Sequence, residues 1–204
     1  MRNDRKQKEY DFKRNLIIDA AREIFFEKGF DNSTMADIAK KAGYSKGSIY
    51  SYFNSKNEIC FHIFNAHFEK IITRIKTITN SDLNGLAKLK KIKKVFVNEF
   101  LKKSNFSKII DSFKHHRNQC LQTTKEIEKN SSLTSEINSC FNDVINAGIK
   151  DKSIKANTDS EKLANALWNE ENGFFTELKA DDRNNYLYLF DLIIDSIKGE
   201  TNND

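Results

Sequence analysis

Lys46, Gly47, Ser48, Tyr50 and Tyr52 bring a cation, a bare stretch of backbone, a hydroxyl and two phenols close together. Ile49 and Phe53, four apart among them, have the spacing of one buried helical face. With that pair turned inward, the polar five lie outward or at the helix N-terminus. Such groups suit phosphates, base edges and thymine methyls, and Gly47 lets the backbone come close. The chemistry is recognition of a nucleic-acid duplex. Catalysis is not indicated, because the chain has no Gly-rich phosphate loop, no G-x-S-x-G and no H-E-x-x-H. The adjacent Glu170 and Glu171 diverge by about 100° on a helix and cannot converge on one atom.

Local signals around this cluster predict the elements that would hold it. Thr34 is placed to cap a helix, with Asp37 as the return partner of a capping box. Ile38, Ala39 and Ala42 give that helix an apolar stripe, and Gly43 supplies the positive-φ stop. Ser45 caps the next helix, expected to reach Tyr52. Ser55 and Glu58 form a second capping box and open the helix after it. Two helices joined by a Gly-containing turn make a helix-turn-helix, whose second helix enters the DNA major groove. A helical adaptor using the motif for protein contact is the competing reading. It predicts that changing Lys46 or Tyr50 leaves no DNA binding to lose.

Residues 12–60 resemble the N-terminal domain of the TetR family of bacterial transcriptional regulators. The resemblance rests on Ala20-Ala21, Phe25, Gly29-Phe30, Thr34 through Ala39, Ala42 through Tyr50, Tyr52-Phe53, Ser55-Lys56 and Glu58. Tyr44 departs from it, standing where the family usually has a small aliphatic such as Val. The resemblance implies that Lys46, Gly47, Ser48, Tyr50 and Tyr52 belong to the recognition helix, with Thr34 and Lys56 on phosphates. Helix N-termini favour phosphate through free N–H groups and the macrodipole, which supports the last two positions on physical grounds.

Composition agrees with an all-α chain. There is no Pro and only 7 Gly in 204 residues, and apolar residues recur at threes and fours. The expected architecture is a three-helix DNA-binding domain over 1–56, with a basic arm at 1–11, then a larger helical effector-binding and dimerisation domain over 57–204. About nine helices are expected in all. No run of 18 apolar residues is present and the start lacks a signal-peptide core, so a cytoplasmic location without membrane contact is expected. Three widely spaced cysteines, Cys60, Cys120 and Cys140, argue for reduced thiols. Residues 1–57 hold 12 Lys or Arg against 8 Asp or Glu, most of the net +5, and the arm is a candidate to lie along phosphates or fray in solvent. The run Lys88, Lys90, Lys91, Lys93 and Lys94 reads as a solvated helix face, because Leu89, Val95 and Phe96 are interleaved with it.

Beyond the first domain, helices are expected near 55–78, 83–103, 106–128, 133–149, 159–178 and from about 182 to just before Gly199, with a disordered tail. Helix 182–198 carries an apolar arc too wide for one neighbour, through Leu187, Leu189, Phe190, Ile193 and Ile194. A single helix-turn-helix reads few base pairs, so a two-fold dimer on a palindromic operator is expected. The resemblance places that homodimer interface in the last two helices, 159–198, and an effector pocket in the middle of the chain. Its candidate lining is Phe64, Phe68, Phe100, Phe113, Trp168 and Phe175, with His116, Arg117 and Asn172 as polar points. Such a pocket suits a hydrophobic or aromatic small molecule that releases the operator. No cofactor is implied. The alternatives are a regulator without a ligand, or a metal- or thiol-responsive sensor using His116 and Cys120.

Overall fold

A computed structural model describes residues 2–100, 116, 123–177 and 183–199; for some residues within these helices, among them Phe100, Asn172 and Phe175, only the backbone is described. Eight helices make up the described residues: α1 (Arg2–Lys28), α2 (Met35–Lys41), α3 (Lys46–Ile49), α4 (Lys56–Thr79), α5 (Gly85–Phe100), α6 (Thr124–Lys150), α7 (Ser160–Glu177) and α8 (Arg183–Ile197). Two compact units divide the chain, Met1–His67 with Ser104–Glu128 and Phe68–Lys103 with Lys129–Asp204. We call them the head and the body.

The head is built by local signals that stop and start its helices. α1 ends at Gly29, whose φ of +78° few side chains tolerate. Thr34 and Asp37 form the full capping box at the start of α2. At its end Gly43 N–H donates to Lys40 O and Tyr44 N–H to Ala39 O at 2.8 Å, with Gly43 at φ +75°. That double bond closes α2 and turns the chain at once. Ser45 caps α3 through Ser48 N–H, and Ser55 caps α4 through Glu58 N–H. Glu58 returns its carboxylate to Asn54 N–H, one residue ahead of the cap. Ile17, Ala21, Phe25, Ile38, Ile49 and Phe53 form the centre of the head's core, joined by Ile59 and Ile63 of α4.

Two boundaries differ from expectation. The arm is helical from Arg2, with Asp4–Lys8, Gln7–Asp11 and Glu9–Lys13 pairs at i,i+4 bridging its turns. Such pairs stabilise an exposed helix by about 0.2–0.5 kcal/mol each, and no Gly or Pro interrupts it. Arg14, three residues past that arm, is turned inward: it bonds to His62 Nε2 and lies 4.6 Å from the centre of the Phe53 ring. α3 is shorter than expected, ending at Ile49, because Ser51 Oγ and N–H both engage Ser48 O and tighten the next turn.

α6 begins at Thr124, so the polar run Asn130-Ser131-Ser132 is not the break expected there. Most of the helix expected at 106–128 and the tail from 200 onward lie outside the described residues. The loop after α6 ties the body together. Asp151 accepts from Gly85 N–H at 2.8 Å, Ser153 Oγ accepts from Leu86 N–H, and Gly199 N–H donates to Ser153 O. Gly85 lies against Gly148, where a side chain would not fit: a Cβ on Gly85 would stand 2.2 Å from Gly148 Cα. Phe96 and Phe141 stack in the core, and Cys140 is buried, which pushes its thiol pKa up. No described helix is long and apolar enough to cross a membrane.

Candidate nucleic-acid interface

Ile49 and Phe53 are fully buried and anchor α3 and the turn after it to the core. That anchoring leaves Lys46, Gly47 and Ser48 exposed, and Tyr50 is 46% exposed. Ser48 Oγ shares a hydrogen bond with Ser45 Oγ at 2.8 Å, so the cap also fixes the first outward hydroxyl. Thr34 gives its proton to Asp37 Oδ2 at 2.7 Å while accepting from Asp37 N–H, so its hydroxyl is held within the cap. The Lys28 ammonium at 2.6 Å, then Thr34, hold the Asp37 carboxyl down at about 2.

Two residues grouped with the outward set have other positions. Tyr52 is half-buried; its ring stacks on Tyr10 at 5.1 Å and meets Tyr44 edge-on at 6.0 Å. That contact gives the aromatic at position 44 a partner. Lys56, expected on a phosphate, points its ammonium into the loop between α1 and α2. It donates to Phe30 O at 2.7 Å, Asp31 O at 3.2 Å and Ser33 O at 3.1 Å, over the Phe30 ring at 4.4 Å. An ammonium has three protons, and all three are used. Lys56 is a latch between that loop and the start of α4.

His116, a candidate pocket residue and half of the candidate sensor pair, is in the head. Its Nε2 lies 3.1 Å from Asp31 Oδ1 and its ring 4.8 Å from Phe30. Its sequence neighbours could not reveal this, since the partner is on a distant loop. Phe64 is half-buried against the head's core. Phe68 and Trp168, both buried, do come together in the body, edge to face at 6.1 Å. Phe113, Arg117 and Cys120 lie outside the described residues, as do the side chains of Phe100, Asn172 and Phe175.

The body holds a polar pair that the charge pattern concealed. Lys93, read as part of a solvated run, is only 3% exposed, and it donates to Glu170 Oε1 at 3.0 Å. It also sits 4.8 Å from the Phe190 ring centre. Burial raises the Glu170 pKa, with Lys93 opposing, and Glu170 Oε2 is buried without a hydrogen-bond partner. The apolar interleaving suggested that the whole run faced solvent; position 93 instead falls on the same helical face as Leu89 and Phe96.

A family model described as bacterial regulatory proteins, tetR family, matches residues 17–63, the span from the first core residue of α1 into α4. Residues 17–63 thus carry the N-terminal domain of the TetR family. The HTH-type transcriptional regulator YuxN of Bacillus subtilis is 31% identical over 132 residues, 64% of this chain and 45% of YuxN. The chain thus spans less than half the length of that relative. The HTH-type transcriptional repressor KstR2 of Rhodococcus jostii is 28% identical over 73% of this chain and 71% of its own. A TetR/AcrR-family regulator of Thermobifida fusca has the same fold, with a TM-score of 0.70 and 19% identity over 89% of this chain and 96% of its own. These relatives are transcriptional regulators, not enzymes.

Proposed function

We propose that this TetR-family chain is a repressor that binds a palindromic operator as a homodimer and lets go when a small apolar molecule enters the body. The observation that carries the DNA half is the outward set Lys46, Gly47, Ser48 and Tyr50 on an element pinned by Ile49 and Phe53. Lys46 and the N-terminus of α2 at Thr34 suit phosphates; Ser48 and Tyr50 suit base edges and thymine methyls. Repression is favoured by the name of KstR2, a repressor. A cytoplasmic location follows from that role.

Dimerisation is supported by α8. Its arc divides into Phe190, Ile194 and Ile197, which are buried, and Tyr188, Leu189 and Leu192, which are exposed on one side. Exposed apolar residues grouped this way suit a second copy. The effector half is supported by Phe68 and Trp168 with the nearby polar pair Lys93 and Glu170 on α5 and α7. An effector must bind one arrangement better than the other, and a few kcal/mol of difference suffices.

Selection of bound sequences from random duplex DNA tests the reading. A recovered palindrome is expected; an enriched site without two-fold symmetry, or no enrichment at all, overturns it. Leu192→Asp is expected to give monomers by sedimentation and to lose palindrome binding while single-site contacts persist. The release step fails if compounds that bind the body never change operator affinity.

A further inference from the structure

From the contact between α1 and the recognition turn, we infer that the first turns of α1 are a third DNA-contacting element, a rigid cationic rail whose Lys6 and Lys13 meet backbone phosphates beside the recognition element. The inference rests on the DNA reading above. Three observations carry it.

First, the segment is helix, not arm. Ile17 is the first buried residue of α1, so Arg2 to Leu16 project about 20 Å beyond the core at 1.5 Å per residue. Second, besides the hold of Arg14 on His62 and Phe53, the projection is tied to the residues that flank the recognition element. Tyr10 stacks on Tyr52, three residues past the end of α3, and Tyr52 meets Tyr44, two residues before its start. The stack therefore fixes the direction of the rail relative to Lys46 and Ser48. Third, the face so fixed is cationic. Lys6 and Lys13 lie four before and three after Tyr10, on its side of the helix. The Lys13 ammonium is stabilised chiefly by its hydrogen bond and ion pair with Glu9.

Glu9 makes the arrangement switchable. Its 2.6 Å bond to Lys13 is solvent-exposed at both ends, with 60% and 39% of the two side chains accessible. Exposed pairs of this kind hold weakly, so a phosphate can take the ammonium from the carboxylate when DNA arrives. In the free protein the same pair keeps Lys13 extended along the helix, ready for that exchange. Tyr10 is a positioning residue here and the two lysines are the contacts.

The test uses the full chain and two duplexes, one carrying the selected operator and one of unrelated sequence. Lys6→Gln with Lys13→Gln should lower the slope of log affinity against log salt by about 1.8 per protomer, about 3.6 for the homodimer, since each phosphate contact contributes roughly 0.9. The loss should be the same factor on both duplexes, because phosphates carry no sequence information. Glu9→Gln should strengthen binding to both. Tyr10→Ala should lower the slope as the double lysine variant does, and Tyr10→Phe should restore it, since the stack needs the ring and not the hydroxyl. Thermal melting checks that the head stays folded; should Tyr10→Ala melt it, the surface lysine variants decide alone. An unchanged slope in the double lysine variant, with the wild type binding normally, overturns the rail and leaves the recognition helix standing. A wild type that binds neither duplex removes both.

Discussion

In the head, charged side chains close off the rim of an apolar core: Lys56 on three loop carbonyls, Asp37 on Lys28, His116 on Asp31. In the body, a Lys–Glu pair is carried inside, with Lys93 almost wholly buried and one Glu170 oxygen left without a partner. The rim arrangement needs no desolvated ion. It fixes loop geometry with charge-assisted bonds and leaves the outward face for a polyanion. The interior arrangement is a poor source of stability, because taking both ions from water offsets most of their attraction. It suits a region that must select between packings, where a buried pair specifies how α5 and α7 meet. The head thus fixes its loops with charges at the rim, and the body fixes how α5 and α7 meet with a pair inside.

Variants of the two latches put that contrast at risk, and the largest effect belongs to the interior. Lys93→Met should destabilise the protein by about 3 kcal/mol, since it strands a buried carboxylate. Chemical denaturation would show this at pH 7. The loss should shrink toward pH 5, because Glu170, already raised by burial, can then take a proton and enter the core neutral. Replacing Glu170 as well with Leu should recover most of the stability. If the double variant is no better than the single, the pair stabilises more than it specifies and the contrast fails.

Lys56→Met comes next. It leaves three loop carbonyls short of a donor in the head and should cost about 1–3 kcal/mol. Hydrogen exchange should show the loss at Phe30 to Ser33, and operator affinity should fall with it. Were Lys56 mainly a phosphate contact, exchange in that loop would not change and only the salt slope would drop.

Thr34→Ala should cost about 1 kcal/mol through the lost cap. Asp37 adds a pH signature. Its folded pKa of about 2 is below the unfolded value, so its contribution is present above roughly pH 4 and fades as pH falls toward 2. Acid titration of the wild type should show this window and Asp37→Asn should remove it. The smallest stability effects belong to Ser48→Ala and Tyr50→Ala. Both should melt within about 0.5 kcal/mol of wild type, as surface substitutions do, while changing which operators are preferred.

What the chain's sequence made legible was whatever is settled within four residues. Thr34 with Asp37, the Gly43 stop and the Ser45 cap are short-range bonds that the structure has, and of the Ser55–Glu58 box it has the Ser55 half, with Glu58 returning to Asn54 N–H instead. The inward pair Ile49 and Phe53 follows from helical period alone. The latches were not legible, because their partners are far along the chain: Glu170 is 77 residues from Lys93, and the acceptors of Lys56 are 23 to 26 residues away. Backbone carbonyls leave no mark on a sequence pattern, so Lys56 read as an ordinary surface cation. Tyr52 failed for the same reason in reverse: α3 ends before it, and the ring is met by Tyr10 from 42 residues earlier in the chain.

The crossing of α5 and α6 at Gly85 and Gly148 has no cushion at all. Gly→Ala in a helix ordinarily adds up to about 1 kcal/mol through propensity. At position 85 the added methyl would overlap rigid main chain, with Gly148 N at 2.4 Å and Val144 O at 2.7 Å, none of which can rotate aside. One carbon atom there is a wedge that drives two rods apart at their tightest point, so the smallest edit available to an engineer would reshape the whole body.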